Sequence, residues 1–334
     1  MGLLSGSLNL FRRTWHWRRR GSRFGFIFRR LLQTVPLIFG IVFLTFLIIP
    51  ITPGDPARAI AGAQSSPEQV ANIRHDLGLD KNIVVQYGTF LSRVVHGDLG
   101  ESNRTRETVA GIIGSRWSVT AALVVGSGIV ALLLTVPLAV FAALRRDRAP
   151  DIAIRVLTTA GLGMPVFWTG TMLIILVATR TGWFPVGGQY GSSIGSHVRA
   201  LALPWLALGI SSSPIMLRSL RSSMINVLES DYVDAARAIG VKGSRLIVGH
   251  VFRNALVPML ALLGVQIGYL FFGALVAERT FDLPGLGDAM VVATGGRDYP
   301  VVIGITMVFA LGVVLAHLLA DILISLVDPR VVMA

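Results

Sequence analysis

The chain has 334 residues, 53% of them hydrophobic and 14% charged, with a mean hydropathy of +0.69. A soluble domain of this length carries about 25% charged residues, so the shortfall and several long apolar runs make this a membrane protein. Zero cysteines exclude disulfides and Cys-ligated zinc or iron–sulfur sites, and the net charge of +12 says more through its placement than its size.

Arg12, Arg13, Arg18, Arg19, Arg20, Arg23, Arg29 and Arg30 crowd the first thirty residues, with no Asp or Glu among them. Trp15 and Trp17 interleave with them as in nucleic-acid-binding segments. Next to an apolar run of span length, however, such arginines hold the N-terminus in the cytoplasm against anionic headgroups. The expectation is a basic extension over 1–30, lipid contact, no nucleic-acid partner and an uncleaved first helix.

Six spans follow, at 31–51, 117–144, 152–178, 201–220, 257–277 and 301–327. The Lys/Arg bias of the short loops orients them. Arg145, Arg146 and Arg148 fall inside after the second span, and Arg237, Lys242 and Arg245 fall inside after the fourth. Both termini are then cytoplasmic, and 52–116 and 278–299 lie outside.

The outer segment 52–116 has helical signals of its own. Ser66, Pro67 and Glu68 read as a helix start, and Gly78 as its stop. From Asn82, the apolar positions Ile83, Val84, Tyr87, Phe90, Leu91, Val94 and Val95 repeat with helical spacing as far as Gly97. A small external subdomain is expected, contacting a soluble partner or capping the bundle. Pro36, Pro137, Pro165, Pro204 and Pro214 interrupt the spans, as suits a kinked bundle.

The stretch 228–258 is polar, lies between two spans, and is far longer than a connector needs. Ser230 or Asp231 can cap a helix with Asp234 in its first turn. Ala235, Ala236 and Ala238 follow, and Gly240 can take the left-handed conformation that ends it. Gly243 and Ser244 open a second helix with Leu246, Ile247, Val251 and Phe252 on its apolar face, running to Pro258. Small residues at such an elbow let a partner's backbone come close.

A phosphate-binding Gly-Lys-Ser/Thr loop requires Gly before Lys, but Lys81 follows Asp80 and Lys242 follows Val241. No metal site is expected, since the six histidines are scattered without His-Glu-x-x-His. His317 and Asp321 stand one helical turn apart inside the last span, as a proton relay or, with Arg155 or Arg218 pairing Asp321, as structural glue. The relay reading leads to an alternative function, a secondary carrier driven by an ion gradient.

Asp234-Ala-Ala236 with Gly240, and Asn254-Ala-Leu-Val-Pro258 beyond, resemble the EAA loop of ABC-importer permeases, with Asp where that family often has Glu. Thr52-Pro-Gly-Asp-Pro56, Leu77-Gly-Leu-Asp80, Gln86-Tyr87 and Gly97-Asp-Leu-Gly100 resemble the dipeptide/oligopeptide subgroup. So do Glu278-Arg-Thr-Phe-Asp-Leu-Pro-Gly-Leu-Gly287, Arg297-Asp-Tyr-Pro300 and Asp328-Pro-Arg330. The resemblance implies an all-α membrane protein of six transmembrane helices. It would carry an extracytoplasmic helical insertion (52–116) between the first two and a cytoplasmic coupling loop (228–258) between the fourth and fifth, the loop lying within a permease core over 117–330 that holds the second to sixth spans.

It also implies a non-enzymatic transport subunit of the bacterial inner membrane. The partners would be a second homologous permease, two cytoplasmic ATP-binding subunits that hold ATP and Mg, and an extracytoplasmic substrate-binding protein; this chain would carry no cofactor. Tyr232, Asp234, Ala235, Ala236, Arg237 and Gly240 would contact the ATPase, while the substrate-binding residues stay unassigned.

Overall fold

The computed structural model of the protein describes residues 23–51, 55–62, 65–76, 78–188 and 193–327. Most of the basic extension (1–22), residues 52–54 and 77 of the outer motifs, and Asp328-Pro-Arg330 lie outside the described residues. Among the described residues the regular structure is all helical apart from one isolated antiparallel bridge, Glu101 to Thr108.

Among the described residues five helices are long and apolar enough to cross a membrane: α1 within Arg23–Ile51, and four others introduced below; a bent pair supplies a sixth candidate. Three short helices follow α1, namely α2 (Pro56–Ala61), α3 (Pro67–Asp76) and α4 (Ile83–Val95). The start of α3 is a reciprocal cap, in which Ser66 Oγ accepts from the Gln69 N–H and Gln69 Oε1 accepts from the Ser66 N–H. Asn82 caps α4 by accepting from the Val84 N–H. The α4 helix lies on α1: Tyr87 donates to the Phe39 carbonyl and meets Phe43 edge-on, with ring centroids 5.2 Å apart.

The second long helix, α5 (Val109–Leu144), reaches further back than the expected span because Thr108 caps it, accepting from the Gly111 N–H. The third expected span is not one helix. Helix α6 (Ala149–Leu162) stops at Gly163-Met164-Pro165, and α7 (Val166–Thr181) leaves at 108°. Proline disfavours helical geometry in the residue before it and carries no N–H of its own, so Pro165 serves as the cap of a new helix. Helix α8 (Ile194–Leu228) runs through Pro204 and Pro214 without stopping.

A short helix, α9 (Asp231–Ala238), precedes α10, a 38-residue helix over Gly243–Thr280 with a π turn at Ile247–Phe252. Helices α11 (Leu286–Gly295) and α12 (Tyr299–Val327) complete the chain. Helix α8 is the axis, packed along α5 and α10; α12 packs on α10, and α1 lies outermost against α12.

Burial divides into two apolar clusters. One joins the first half of α5 and of α8 (Leu123, Leu201, Leu208) to the end of α10, α11 and the start of α12 (Phe271, Leu286, Ile305). The other joins the opposite ends (Ala139, Leu217, Met224) to α9 and the start of α10 (Val233, Val251, Met259). Between them lies a polar waist. Pro214 leaves the Ile210 carbonyl without its helical donor, and Ser213 Oγ donates to it instead at 3.1 Å. The buried Gln266 amide donates to the Ser212 carbonyl at 2.6 Å.

Candidate functional site

Helix α9 is held from below and open above. Val233 and Ala236, three residues apart on one face, are buried in the second cluster. Tyr232, Asp234, Ala235, Arg237 and Gly240 are exposed. Of the six residues expected to meet a partner, Ala236 is therefore the exception, since its small side chain lets α9 settle closely on the core. The N-terminus also differs from expectation. Ser230 occupies the cap position, but its hydroxyl donates back to the Val227 carbonyl and makes no capping bond.

Gly240 has φ +88°, the left-handed conformation expected of it, and a β-carbon added there would meet nothing within 4 Å. One turn of spacing beyond Val233 and Ala236, Ile239 would continue the buried face if the helix went on. It ends at Ala238, and the glycine turn leaves Ile239 82% exposed. Sequence periodicity hides this residue, because an isoleucine at that spacing reads as core. Across the elbow the Tyr232 hydroxyl and His250 Nδ1 are 2.6 Å apart, which ties the two arms, while within α10 Asn254 donates to the His250 carbonyl.

Charged groups anchor the approach to α9. Arg221 on α8 donates through Nε and Nη2 to the two oxygens of Asp151 on α6, both at 2.6 Å. The Asp151 carboxylate is inaccessible, the Arg221 side chain only 16% exposed, and the Asp147 N–H, on a residue with φ +59°, also donates to Asp151. Arg146 of the same turn pairs with Glu229, the residue that ends α8 immediately before α9. The turn over 145–151 thus grips both the shaft of α8 and the base of the exposed helix.

The opposite end is built on two buried carboxylates that sequence reading quoted only as parts of motifs. Glu278 accepts from the Thr120 hydroxyl at 2.6 Å and the Asp288 N–H at 3.0 Å. A β-carbon at Gly285 would lie 2.1 Å from its carboxyl carbon, and one at Gly287 2.4 Å from the Leu275 Cα, so both glycines are sterically required. Asp298 accepts from Ser102 Oγ and the Asn103 N–H, tying the segment before α5 to the turn before α12. The signal was available: an acid before a Pro-Gly-Leu-Gly turn, which only a close backbone approach explains.

His317 and Asp321 bond to different partners. Asp321 bonds to Arg30 of α1 at 3.1 Å, not to Arg155 or Arg218, because α1 packs on the end of α12 that carries it. Arg155 instead faces Asp147 and Asp151. His317 Nδ1 lies 2.9 Å from the Val313 carbonyl, and its ring packs against Gly264, where a β-carbon would meet it at 2.8 Å.

Two family descriptions match the chain. Residues 135–333 match the binding-protein-dependent transport system inner membrane component, and residues 23–124 match the N-terminal region of such membrane components. The glutathione transport system permease protein GsiC of Salmonella choleraesuis (strain SC-B67) is 35% identical over 306 residues, covering 92% of this chain and 98% of that protein. GsiC of Escherichia coli (strain K12) is 34% identical over the same extent. With more than half of its length matched by one family and almost all of it aligned to such relatives, the chain belongs to the family of inner membrane components of binding-protein-dependent transport systems.

Proposed function

We propose that the chain is a permease subunit of an ATP-driven importer for peptide-type substrates, working by alternating access across the bacterial cytoplasmic membrane. Dipeptides or oligopeptides are the substrates that its sequence motifs imply, and the relatives' names add glutathione, a tripeptide-like molecule. The subunit pairs with a second homologous permease. It receives substrate from an extracytoplasmic binding protein and is driven by two cytoplasmic ATPases that hold ATP and Mg. Both termini and 228–258 are cytoplasmic, and 52–116 faces the other side, with α4 packed on the first span.

One observation carries this reading: α9, rooted in the core by Val233 and Ala236, exposes Tyr232, Ala235 and Ile239 above a left-handed glycine. An exposed isoleucine beside small residues suits an apolar groove on a partner, with Asp234 and Arg237, themselves paired at 2.9 Å, at its rim. When the ATPases close, they push or pull on α9, and the tie to Glu229 and α8 passes the movement into the spans as a rigid-body shift. Family membership sets aside the ion-gradient alternative, and the separate bonds of His317 and Asp321 offer it no relay.

Replacing Ile239 with Asp tests the docking. The side chain makes little contact with its own chain, so insertion and thermal stability should stay unchanged while co-purification of the ATPase subunits is lost. Retention of stoichiometric ATPase by that variant would sink the assignment of α9. Replacing Gly240 with Val strains the elbow and should let ATP hydrolysis continue without uptake.

A further inference from the structure

Arg30, Gln33, Thr34, Leu37 and Ile41 fall on one face of α1 and form one wall of a cavity of about 500 Å³. Val313, Val314, His317 and Asp321 of the antiparallel α12 form the facing wall, and Phe272 of α10 closes part of the back. From Arg30 to Ile41 the helix rises roughly 16 Å. That is close to one leaflet of a hydrocarbon core about 30 Å thick. The polar groups gather at one end of this height. The Arg30–Asp321 ion pair stands there, with side chains 43% and 25% exposed, and everything beyond His317 towards Ile41 is apolar.

We propose that the cavity seats one zwitterionic phospholipid, with its phosphate against Arg30, its primary ammonium against Asp321 and an acyl chain along Leu37, Ile41 and Val314. The inference rests on the reading of the chain as membrane-spanning, and on nothing about its substrate or ATPase. A half-exposed ion pair offers a cation and a carboxylate side by side, the mirror image of a phosphoethanolamine headgroup. A purely anionic headgroup would meet the Asp321 carboxylate as a like charge even where its hydroxyls can donate to it, and a headgroup with neither N–H nor O–H donors would gain no hydrogen bond from it. Arg29 and Arg30 at the start of the apolar span Phe28–Leu47 within α1 set the height at the headgroup region, where arginine is anchored. The site also gives Asp321 a role that its bond away from His317 leaves open.

The test uses the full-length chain, purified in mild detergent with whatever subunits accompany it. Phosphatidylethanolamine or phosphatidylglycerol with identical acyl chains is titrated in, and the melting temperature is followed. Half-maximal stabilisation should need about fivefold less phosphatidylethanolamine, the scale of one partly exposed charged contact. Asp321→Asn should bring the two lipids level, and Leu37→Trp, which fills the apolar part and leaves the ion pair alone, should weaken both. Equal potency of the two lipids on the unaltered chain would overturn the headgroup assignment, as would a preference that survives Asp321→Asn. A photo-cross-linker on Leu37→Cys, a unique thiol in a chain with no cysteine of its own, should capture lipid; capture of another polypeptide there overturns the proposal.

Discussion

Glu278 keeps its carboxylate out of solvent between Thr120 and the Asp288 N–H, with no room left on the Gly285 side. Gly285→Ala must displace either the carboxylate or the backbone, at a cost of about 2 kcal/mol. Gly295→Ala, at the end of α11, meets nothing within 4 Å and has an ordinary φ. It should be neutral or stabilising by about 0.5 kcal/mol. Thermal unfolding of the two variants should therefore move in opposite directions, and a shared sign would refute the steric account. Asp151 makes a second case. Asp151→Asn leaves the guanidinium of Arg221 largely enclosed without its counter-charge, at a cost of about 3 kcal/mol. Replacing both partners, Asp151→Leu with Arg221→Met, removes the uncompensated charge and should recover most of the lost melting temperature. Neither carboxylate announces this in the sequence, where Asp151 follows a proline in a turn and Glu278 ends an apolar run. Burial of an acidic side chain depends on which helix packs over it.

At the scale of elements, the parts set by local chemistry were legible and the parts set by packing were not. Gly240, Gly78 and Gly97 all have positive φ where a stop was expected, because a helix end needs a residue free to turn left-handed. The helical repeat from Ile83 to Val95 was also readable, since its apolar side packs on α1 through Tyr87 and Phe90. Pro165 interrupts the third expected span as a proline suggests, but the 108° turn there exceeds a kink, and hydropathy cannot show it because it counts residues and ignores direction. Pro258 was taken as a boundary, yet α10 passes through it after a π turn. The pair of Arg146 with Glu229 adds a testable step. Both side chains are about half exposed, so the bond contributes at most about 1 kcal/mol to stability. Arg146→Glu should accordingly leave the melting temperature almost unchanged while lowering substrate-stimulated ATP hydrolysis, if the turn relays movement from α9. Adding Glu229→Arg restores the opposite charges and should restore the stimulation. A single variant with normal stimulation would confine the pair to a passive surface contact.

Across the whole molecule, two apolar clusters are stacked end to end and share the helices α5, α8 and α10. Close-packed interiors shift between discrete arrangements and do not deform smoothly, so an alternating-access cycle needs a layer between them where packing is less demanding. The waist has that character. Pro214 removes one backbone bond of α8, Ser213 supplies a substitute, and Gln266 reaches from α10 to the Ser212 carbonyl. Thr135 Oγ1 stands 3.5 Å from the Ser213 carbonyl, and Ser211 Oγ lies 3.4 Å from Thr169 Oγ1. Side-chain bonds of this kind can exchange partners when one cluster tilts against the other, whereas interlocked leucines cannot. Gln266→Leu fits the same space but withdraws this extra donor from the Ser212 carbonyl, which keeps its place in the α8 ladder, at a cost of about 1 kcal/mol. The cost falls on whichever state uses that bond, so the conformational equilibrium should shift and uptake should fall. The proposed docking uses the exposed face of α9, on the far side of the second cluster, and should be untouched. Uptake into vesicles, measured beside ATPase co-purification, separates the two: lost uptake with retained ATPase supports a hinge at the waist. Equal loss of both would mean that Gln266 merely holds the bundle together.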